Sequence, residues 1–232
     1  MTSNKFSKDD IIAFECGKFA DEYFFRKSRQ KDHFKRIPYD NSIENRKLQK
    51  EYGVDLYIES DGLSCFIDEK AKVNGYVNKA PLRNSVEIMS HDKEGWFIDP
   101  KKKTNKYAFI CISCDSSVTT EYDILSSNIT DMLYIIVDKE ELKEYLLKEN
   151  GLSISKLIED ARMKLNYNKP CIYIHEGHFL TCKKEWSSRP VNFAFNMEEC
   201  LNLSKTIIIH ITRDGFKKIS KKEVISIWKN CK

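Results

Sequence analysis

The sequence predicts an α/β protein in which a central mixed sheet lies between helices, giving three layers, α/β/α. Three observations predict this class: an apolar pattern of helical period near the N-terminus, a two-residue turn signal between two alternating strands, and two strongly apolar strands followed by amphipathic helices. The 232 residues are enough for one large domain. We expect a single domain over 1–232, with its core in 1–150 and an elaboration of that core in 151–232.

The first predicted element is a helix over 8–28. Ser7 precedes Asp9 and Asp10, so a capping residue stands before acidic residues of the first turn. Apolar residues then recur at helical spacing, namely Ile12, Cys16, Phe19, Ala20 and Tyr23. A second, short helix in the segment SIENRKLQKEY is predicted to end at Gly53.

Residues 52–73, YGVDLYIESDGLSCFIDEKAKV, are predicted to form a hairpin. Asp61-Gly62 is a strong signal for a two-residue turn, because both central residues of a type I′ turn need positive φ. With these two as the loop, counting outwards along both strands places Asp55 opposite Asp68. One face of the hairpin is then apolar, and the other face carries the acidic pair.

Two carboxylates directly opposite each other destabilise a sheet, since their Cβ atoms lie roughly 5 Å apart. Mg²⁺ offsets this repulsion, because it binds one or two carboxylates and keeps positions for water and phosphate oxygens. Lys70 projects from the same face as Asp68 and can orient a water or stabilise charge on a phosphate. The spacing fits equally well a solvated face on which Lys70 and Lys72 neutralise the aspartates. Glu69 falls on the apolar face, which indicates a strand end or a bulge.

An Asp, a hairpin and then Asp-x-Lys on the returning strand resembles the arrangement of the PD-(D/E)xK nuclease superfamily. Asp55 matches the first acid and Asp68-Glu69-Lys70 the second motif, while Val54 departs from the usual proline. The segments LQKEYGVDLYI, FIDEKAKV and GWFIDPKKKTNKYAFICI are similar to small bacterial and phage-associated proteins with this core. The resemblance covers roughly residues 15–115 and implies a restriction-endonuclease-like core.

The resemblance also implies an activity, namely Mg²⁺-dependent hydrolysis of phosphodiester bonds, with DNA as the expected substrate and Mn²⁺ able to substitute. It implies that Asp55, Asp68 and the main-chain carbonyl of Glu69 bind the metal, and that Lys70 orients the attacking water. The alternative is a nuclease-fold protein that binds nucleic acid or a partner without turnover. Whether two copies pair as a homodimer stays open.

Further site residues follow from the same resemblance. It places Gln49 in the site, together with Glu87 from the strand after the hairpin and an acid of the first helix, Asp21 or Glu22, of which Glu22 is our choice. Glu87 also stands in the middle of an apolar strand, where a carboxylate needs a partner, a function or an exposed edge. The lysines expected to hold the nucleic-acid backbone are Lys72, Lys101, Lys102 and Lys103.

The remaining elements alternate between strands and helices. A third strand is predicted beside the hairpin over 84–90, and further strands over 106–113, 132–138 and 205–212, with a hairpin over 171–182. Helices are predicted to begin near Asp138, Ser153 and Ser220, where capping residues stand.

Charge and hydropathy limit the kinds of partner expected for the protein. The net charge is +4, and basic residues cluster in runs at 26–36, 101–106 and 216–222, which are candidates for phosphate contact. No apolar run approaches the roughly eighteen residues of a membrane span. We therefore expect a cytoplasmic protein without membrane association.

The cysteines and histidines are weaker candidates for a site. We expect the eight cysteines to be reduced thiols, because the chain is large and its N-terminus is polar. Cys111 and Cys114 are three apart in a predicted strand, which puts their side chains on opposite faces. His175 and His178 are also three apart, whereas a zinc-binding helix needs histidines four apart. A structural zinc protein is the weakest alternative.

Overall fold

The structure of the protein, a computed structural model, describes residues 8–29, 33–38, 42–60, 62–73, 83–90, 93–166, 171–175, 177–182 and 190–230. Its α-helices in these ranges are α1 (Lys8–Tyr23), α2 (Ile43–Arg46), α3 (Lys139–Glu149), α4 (Ile154–Asn166) and α5 (Lys221–Asn230). Its strands there are β1 (Phe34–Arg36), β2 (Leu56–Ser60), β3 (Leu63–Val73), β4 (Arg83–Ser90), β5 (Lys93–Glu94), β6 (Lys106–Cys114), β7 (Ile129–Asp138), β8 (Cys171–His175), β9 (His178–Cys182), β10 (Val191–Asn196), β11 (Ile207–Thr212) and β12 (Gly215–Lys218).

Seven strands form one mixed sheet in the order β1-β2-β3-β6-β7-β11-β12. β3 and β6 run parallel, and the other neighbouring pairs are antiparallel. The β2–β3 hairpin has the predicted register, since Leu56 pairs with Ile67 and Ser60 pairs with Leu63. Gly62 has a φ of 75°, as the predicted turn requires, and Asp61 lies outside the described residues.

A second sheet has the order β5-β4-β10-β9-β8 and is antiparallel throughout. This sheet is absent from the sequence prediction, which places the strand at 84–90 beside the hairpin in the central sheet. In the structure β6 takes that position and β4 belongs to the second sheet. The parallel pairing of β3 with β6 is possible because the chain between them is long enough to return to the same end of the sheet.

Apolar cores lie on both faces of the seven-stranded sheet. On the first face, α1 contributes Cys16 and Phe19 to a core that includes Ile110 of β6. On the second face, Phe109 of β6 belongs to a core shared with α3, α4 and the second sheet. The protein is therefore a mixed α/β protein, as predicted, in which α1 packs on the first face and α3 together with the second sheet packs on the second face.

The helix starts agree with the capping signals where the structure describes them. Asp138 accepts a hydrogen bond from the N–H of Glu141 at 3.0 Å at the start of α3. The helix α1 ends at Tyr23, and a 3-10 turn over Phe25–Lys27 replaces the last predicted turn. Ser7, the predicted cap of α1, lies outside the described residues.

The C-terminal part of the chain contributes to both sheets. β11 pairs with β7 in the larger sheet, and β10 pairs with β4 in the smaller one. None of the helices in the described ranges combines the length and the apolar character that a membrane crossing requires.

Candidate active site on the hairpin of β2 and β3

Asp55 lies immediately before β2, held against β3 by two hydrogen bonds. Its main-chain N–H donates to the carbonyl oxygen of Ile67 at 2.9 Å, and its Oδ2 accepts from the N–H of Glu69 at 2.9 Å. Gly53 has a φ of 69°, a conformation that favours glycine, where the chain leaves the preceding helical segment. The hairpin thus brings Asp55 to Asp68, as the sequence predicts.

Asp68 lies in β3 with its side chain fully buried on the second face of the sheet, in register with Tyr107 of β6. Lys70 Nζ is 2.7 Å from Asp68 Oδ1. Asp68 is therefore ion-paired with Lys70 and interacts with the side chain of Asp55, whereas the buried Tyr107 hydroxyl has no hydrogen-bond partner within the described residues. Buried polar atoms are nearly always bonded in proteins, so the Tyr107 hydroxyl and the carboxylate oxygens beside it suit a bound water or a cation.

The electrostatics of the aspartate pair agree with this geometry. Burial, followed by the charge of Asp68, raises the pKa of Asp55 to about 7. Burial also raises the pKa of Asp68, although the Lys70 ammonium opposes the shift. For Lys70, burial acts to lower the pKa, but the two aspartates outweigh it and the pKa lies above its usual value. Near neutral pH the pair can therefore exchange a proton for a cation.

Glu87 lies in β4, in the second sheet, yet within electrostatic reach of the aspartates. It is half-buried, and burial raises its pKa while Lys70 and Lys102 oppose the shift. Its charge also acts to raise the pKa of Asp68. In the part of the chain that the structure describes, no three His, Cys, Asp or Glu side chains group as a metal site. The candidate carboxylate ligands are the two aspartates, a number that Mg²⁺ accepts.

The side chain of Glu69 points away from Asp68, into the core beneath α1. Arg36 contacts Glu69 Oε2 through Nη1 and donates from Nη2 to Oε1 at 3.3 Å, and the Tyr134 hydroxyl donates to Oε1. These partners, not a bulge or a strand end, explain a glutamate on the apolar face, since the β3 register is continuous through it. Glu69 offers the site its main chain, whose C=O lies on the same strand edge as the N–H that binds Asp55.

The acids of the first helix do not reach the aspartate pair. Asp21 accepts hydrogen bonds from Arg36, from Nε at 3.0 Å and from Nη2 at 2.9 Å, on the first face of the sheet. Glu22 is exposed on α1, which packs on that same face. The structure therefore does not bring Glu22 or Asp21 to Asp55, because the sheet separates them. Arg36, which the sequence places in a basic run, forms ion pairs with Asp21 and Glu69.

Two of the predicted substrate-binding residues, Gln49 and Lys72, lie in or next to the segments that carry the aspartates. Gln49, in the segment before Asp55, donates from Nε2 to the carbonyl oxygen of Ile37 at 3.4 Å. Lys72 lies in β3, where its main chain is in register with Cys111 of β6, and its side chain lies outside the described part of the structure.

Lys101, Lys102 and Lys103 lie in the loop between β5 and β6. Lys101 is exposed, and its N–H donates to Asp99 Oδ1 at 2.8 Å. Lys102 Nζ donates to the carbonyl oxygen of Glu51 at 2.5 Å, and Lys103 Nζ lies 4.5 Å from the centre of the Tyr52 ring. The loop therefore packs against the segment that leads into Asp55.

Three residues of the site region are absent from the sequence prediction: Arg36, Trp96 and Tyr107. The Lys70 ammonium lies 4.9 Å from the centre of the Trp96 ring, so this tryptophan borders the site. Its signal in the sequence is the Gly-Trp segment before the loop lysines. Tyr107 lies beside Asp68 because β3 and β6 are paired in this register, and Arg36 contacts Glu69 because of how β1 packs. No local sequence pattern specifies either contact.

Among the described residues, the other candidates from the sequence are not grouped as a metal site. His175 pairs with His178 across the β8–β9 hairpin, with ring centres 6.2 Å apart, and Glu176 lies outside the described residues. His178 is instead paired with Glu199, whose carboxylate lies 2.8 Å from Nε2. Cys111 and Cys114 belong to cores on opposite faces of the sheet, as predicted.

Comparisons of this chain with models of protein families, with characterised proteins and with solved structures find no match.

Proposed function

We propose that this protein is a Mg²⁺-dependent phosphodiesterase that acts on DNA. The observation that carries the proposal is the pairing of Asp55 with the buried Asp68, beside Lys70, at the end of one hairpin. A buried carboxylate pair costs stability unless something neutralises it, and such costs are typically kept where function needs them. The pKa of about 7 at Asp55 fits a site that gives up a proton when it binds a cation.

The residues present fit a magnesium ion. Asp55 and Asp68 would hold it, the second with a fully buried carboxylate whose charge Lys70 balances in the metal-free protein. The main-chain carbonyl of Glu69 would add a neutral oxygen ligand of the kind Mg²⁺ accepts. When bound, the metal supplies a lowered pKa for a bound water and neutralises charge on the phosphate oxygens.

Lys70 has two roles in the proposal. Its ammonium, 2.7 Å from Asp68 Oδ1, balances the charge of the aspartate pair before the metal binds. With the metal in place, the ammonium would orient the attacking water and stabilise negative charge on the phosphate. The high pKa of Lys70 favours these electrostatic roles over proton abstraction, because the ammonium stays charged at neutral pH.

We further propose that the core is restriction-endonuclease-like. Support comes from the chain order of α1, the β2–β3 hairpin and then β6 parallel to β3, with the aspartates on the hairpin. The Asp-hairpin-Asp-x-Lys resemblance adds to this support. The large second sheet is an elaboration of the proposed core.

The test is titration of Mg²⁺ and Mn²⁺ into wild-type protein and Asp68→Asn by calorimetry, followed by incubation with plasmid and single-stranded DNA. The expected result is metal binding and cleavage by the wild type, with both lost in Asp68→Asn. Glu144→Gln, an exposed carboxylate on α3, is the matched control and should behave as wild type. Wild-type cleavage that survives in Asp68→Asn would reject the assigned site.

The second candidate is a DNA-binding protein without turnover. It is favoured by the close contact of Lys70 with Asp68, which already neutralises one carboxylate without a metal. The same experiment separates the candidates: DNA binding by the wild type, with no metal binding and no cleavage, identifies the non-catalytic protein.

A further inference from the structure

Two aromatic side chains, Tyr52 and Trp96, border the aspartate site. Both are half-buried, and they flank Gly53, two residues before Asp55. A Cβ atom at Gly53 would lie 3.3 Å from Trp96 ring atoms, so the tryptophan packs directly on the backbone that leads into Asp55.

Hydrogen bonds and close packing hold the backbone at both aromatic residues. Gly95, next to Trp96, donates its N–H to the carbonyl oxygen of Ile88 at 2.7 Å, and a Cβ atom there would lie 2.6 Å from the Glu87 carbonyl oxygen. The carbonyl oxygen of Tyr52 accepts a hydrogen bond from Thr104 Oγ1 at 3.0 Å. Each aromatic residue is therefore held by main-chain contacts between the loop and the sheet.

Four lysines surround the two rings. Lys70 and Lys102 place their ammonium groups 4.9 and 5.6 Å from the centre of the Trp96 ring. Lys103 and Lys47 place theirs 4.5 and 5.8 Å from the centre of the Tyr52 ring. Carboxylates also lie at this surface, since Asp55, Asp68 and Glu87 interact electrostatically with Lys70. Glu51 is exposed, and Asp99 is bonded to the Lys101 N–H.

Alternating aromatic rings and lysines are the chemistry that single-stranded nucleic-acid binders use. Each base stacks on a ring, and each phosphate lies near an ammonium group. In a duplex the bases are already stacked and paired, so the rings would gain little from it. The ammonium groups that now lie over the rings can transfer to phosphates when bases replace them, because both contacts are electrostatic.

We propose that Tyr52 and Trp96, with Lys47, Lys102 and Lys103, form a binding surface for unpaired nucleotides of DNA. This inference rests on the proposed function, because it assigns the substrate class of the same site. A single strand or frayed end bound here would have its backbone beside Asp55 and Asp68.

The test measures binding by fluorescence polarisation of labelled oligonucleotides in EDTA, where hydrolysis cannot proceed. The probes are a single-stranded pyrimidine DNA of about twelve nucleotides, its duplex, and RNA of the same sequence. We expect the wild type to bind the single strand at least about tenfold more tightly than the duplex. Trp96→Leu and Tyr52→Leu should each weaken single-strand binding roughly tenfold, in line with measured stacking contributions.

Control variants separate stacking from charge and from folding. Tyr173→Leu, at a tyrosine that is 79% exposed in β8, should bind as wild type. Lys103→Gln should lower the salt dependence of binding by about one ion without changing the preference for single strands. Thermal melting of each variant verifies that it is folded. If Trp96→Leu does not fold, Tyr52→Leu decides the outcome.

Three outcomes overturn the inference: equal or tighter binding of the duplex, wild-type affinity in both aromatic variants, or a tenfold preference for RNA. Different results test the proposed hydrolysis and the proposed binding surface. Single-strand binding through Trp96 with no cleavage in Mg²⁺ supports the surface and rejects the hydrolysis. Duplex cleavage that Trp96→Leu and Tyr52→Leu leave unchanged rejects the surface and keeps the hydrolysis.

Discussion

Asp55 and Glu69 are joined by a hydrogen bond from the Glu69 main-chain N–H to Asp55 Oδ2, at 2.9 Å. This bond links the two faces of the sheet. The Glu69 side chain is held on the first face by Arg36 and Tyr134, while its main chain holds the carboxylate that pairs with Asp68. The hydrogen bond also favours the ionised form of Asp55, and so opposes the effect of burial on its pKa.

Mg²⁺ affinity is expected to rise as the pH rises through about 7. The pKa of Asp55 is about 7, and a carboxylate binds a cation when it is ionised. Between about pH 6 and pH 8 the ionised fraction changes about tenfold, so the association constant should change by the same factor. Calorimetric titrations in buffers of matched ionic strength measure it. A constant affinity over this range would contradict the assigned pKa.

Asp55→Asn is expected to stabilise the metal-free protein at alkaline pH and not at acidic pH. The pKa of Asp55 in the folded protein, about 7, lies above the ordinary aspartate value of 3.8. Its contribution to stability is therefore complete below about pH 4 and is lost as the pH rises through about 7. Asparagine stays neutral throughout, so the gain at pH 8 should be about 1–3 kcal/mol.

Calorimetric melting in EDTA at pH 4 and pH 8 measures this difference. A gain of that size corresponds to a rise of roughly 2–10 °C in Tm for a protein of this length. Glu144→Gln on the exposed side of α3 should leave Tm unchanged at both pH values. A lower Tm for Asp55→Asn at pH 8 would show that the aspartate pair is not strained by its charge.

The hairpin and its aspartates are predictable from sequence, whereas the surroundings of the site are not. The turn at Gly62 fixes the register by counting, and the register places Asp55 beside Asp68. Local patterns do not specify that β6, and not β4, pairs with β3, because that choice depends on a parallel contact across a long connection.

The partners of Glu69 show the same limit at the level of single residues. Asp21 and Arg36 stand among charged neighbours in the sequence, where each resembles a surface residue. Their roles become visible when α1 and β1 pack on the first face of the sheet and meet Glu69. The face of the sheet on which a charged helix residue lies, relative to a distant hairpin, is a tertiary property. The sequence prediction that Glu22 lies beside Asp55 therefore differs from the structure, in which α1 packs on the opposite face from Asp68.

Arg36→Met is expected to destabilise the protein by about 3–5 kcal/mol. Arg36 is the common partner of Asp21 and Glu69, and removing it leaves two largely desolvated carboxylates without their counter-charge. Urea unfolding in the absence of divalent cations measures the loss. Lys217→Met is the control, since both side chains of its pair with Glu223 are more than half exposed and the pair should contribute less than about 1 kcal/mol. A loss at Arg36 as small as that control would mean that the ion pairs do not support the fold.

Gly53→Ala is expected to destabilise the protein more than Gly62→Ala, although both glycines have positive φ, 69° and 75°. Both substitutions impose the backbone cost of a left-handed alanine, about 1–2 kcal/mol. At Gly62 the added Cβ atom meets open space. At Gly53 it would lie 2.9 Å from Thr104 Oγ1 and 3.3 Å from the Trp96 ring, so that packing has to shift as well.

Urea unfolding of the two variants isolates the packing contribution, because the backbone cost cancels in their difference. We expect Gly53→Ala to be less stable than Gly62→Ala by about 1–3 kcal/mol, the range for overpacked sites. The shift should also move Asp55, so Gly53→Ala should weaken Mg²⁺ binding while Gly62→Ala leaves it unchanged. Equal stabilities and equal metal affinities would mean that the loop at Trp96 shifts at little energetic cost. They would also mean that the aspartate site does not depend on the contact between Trp96 and Gly53.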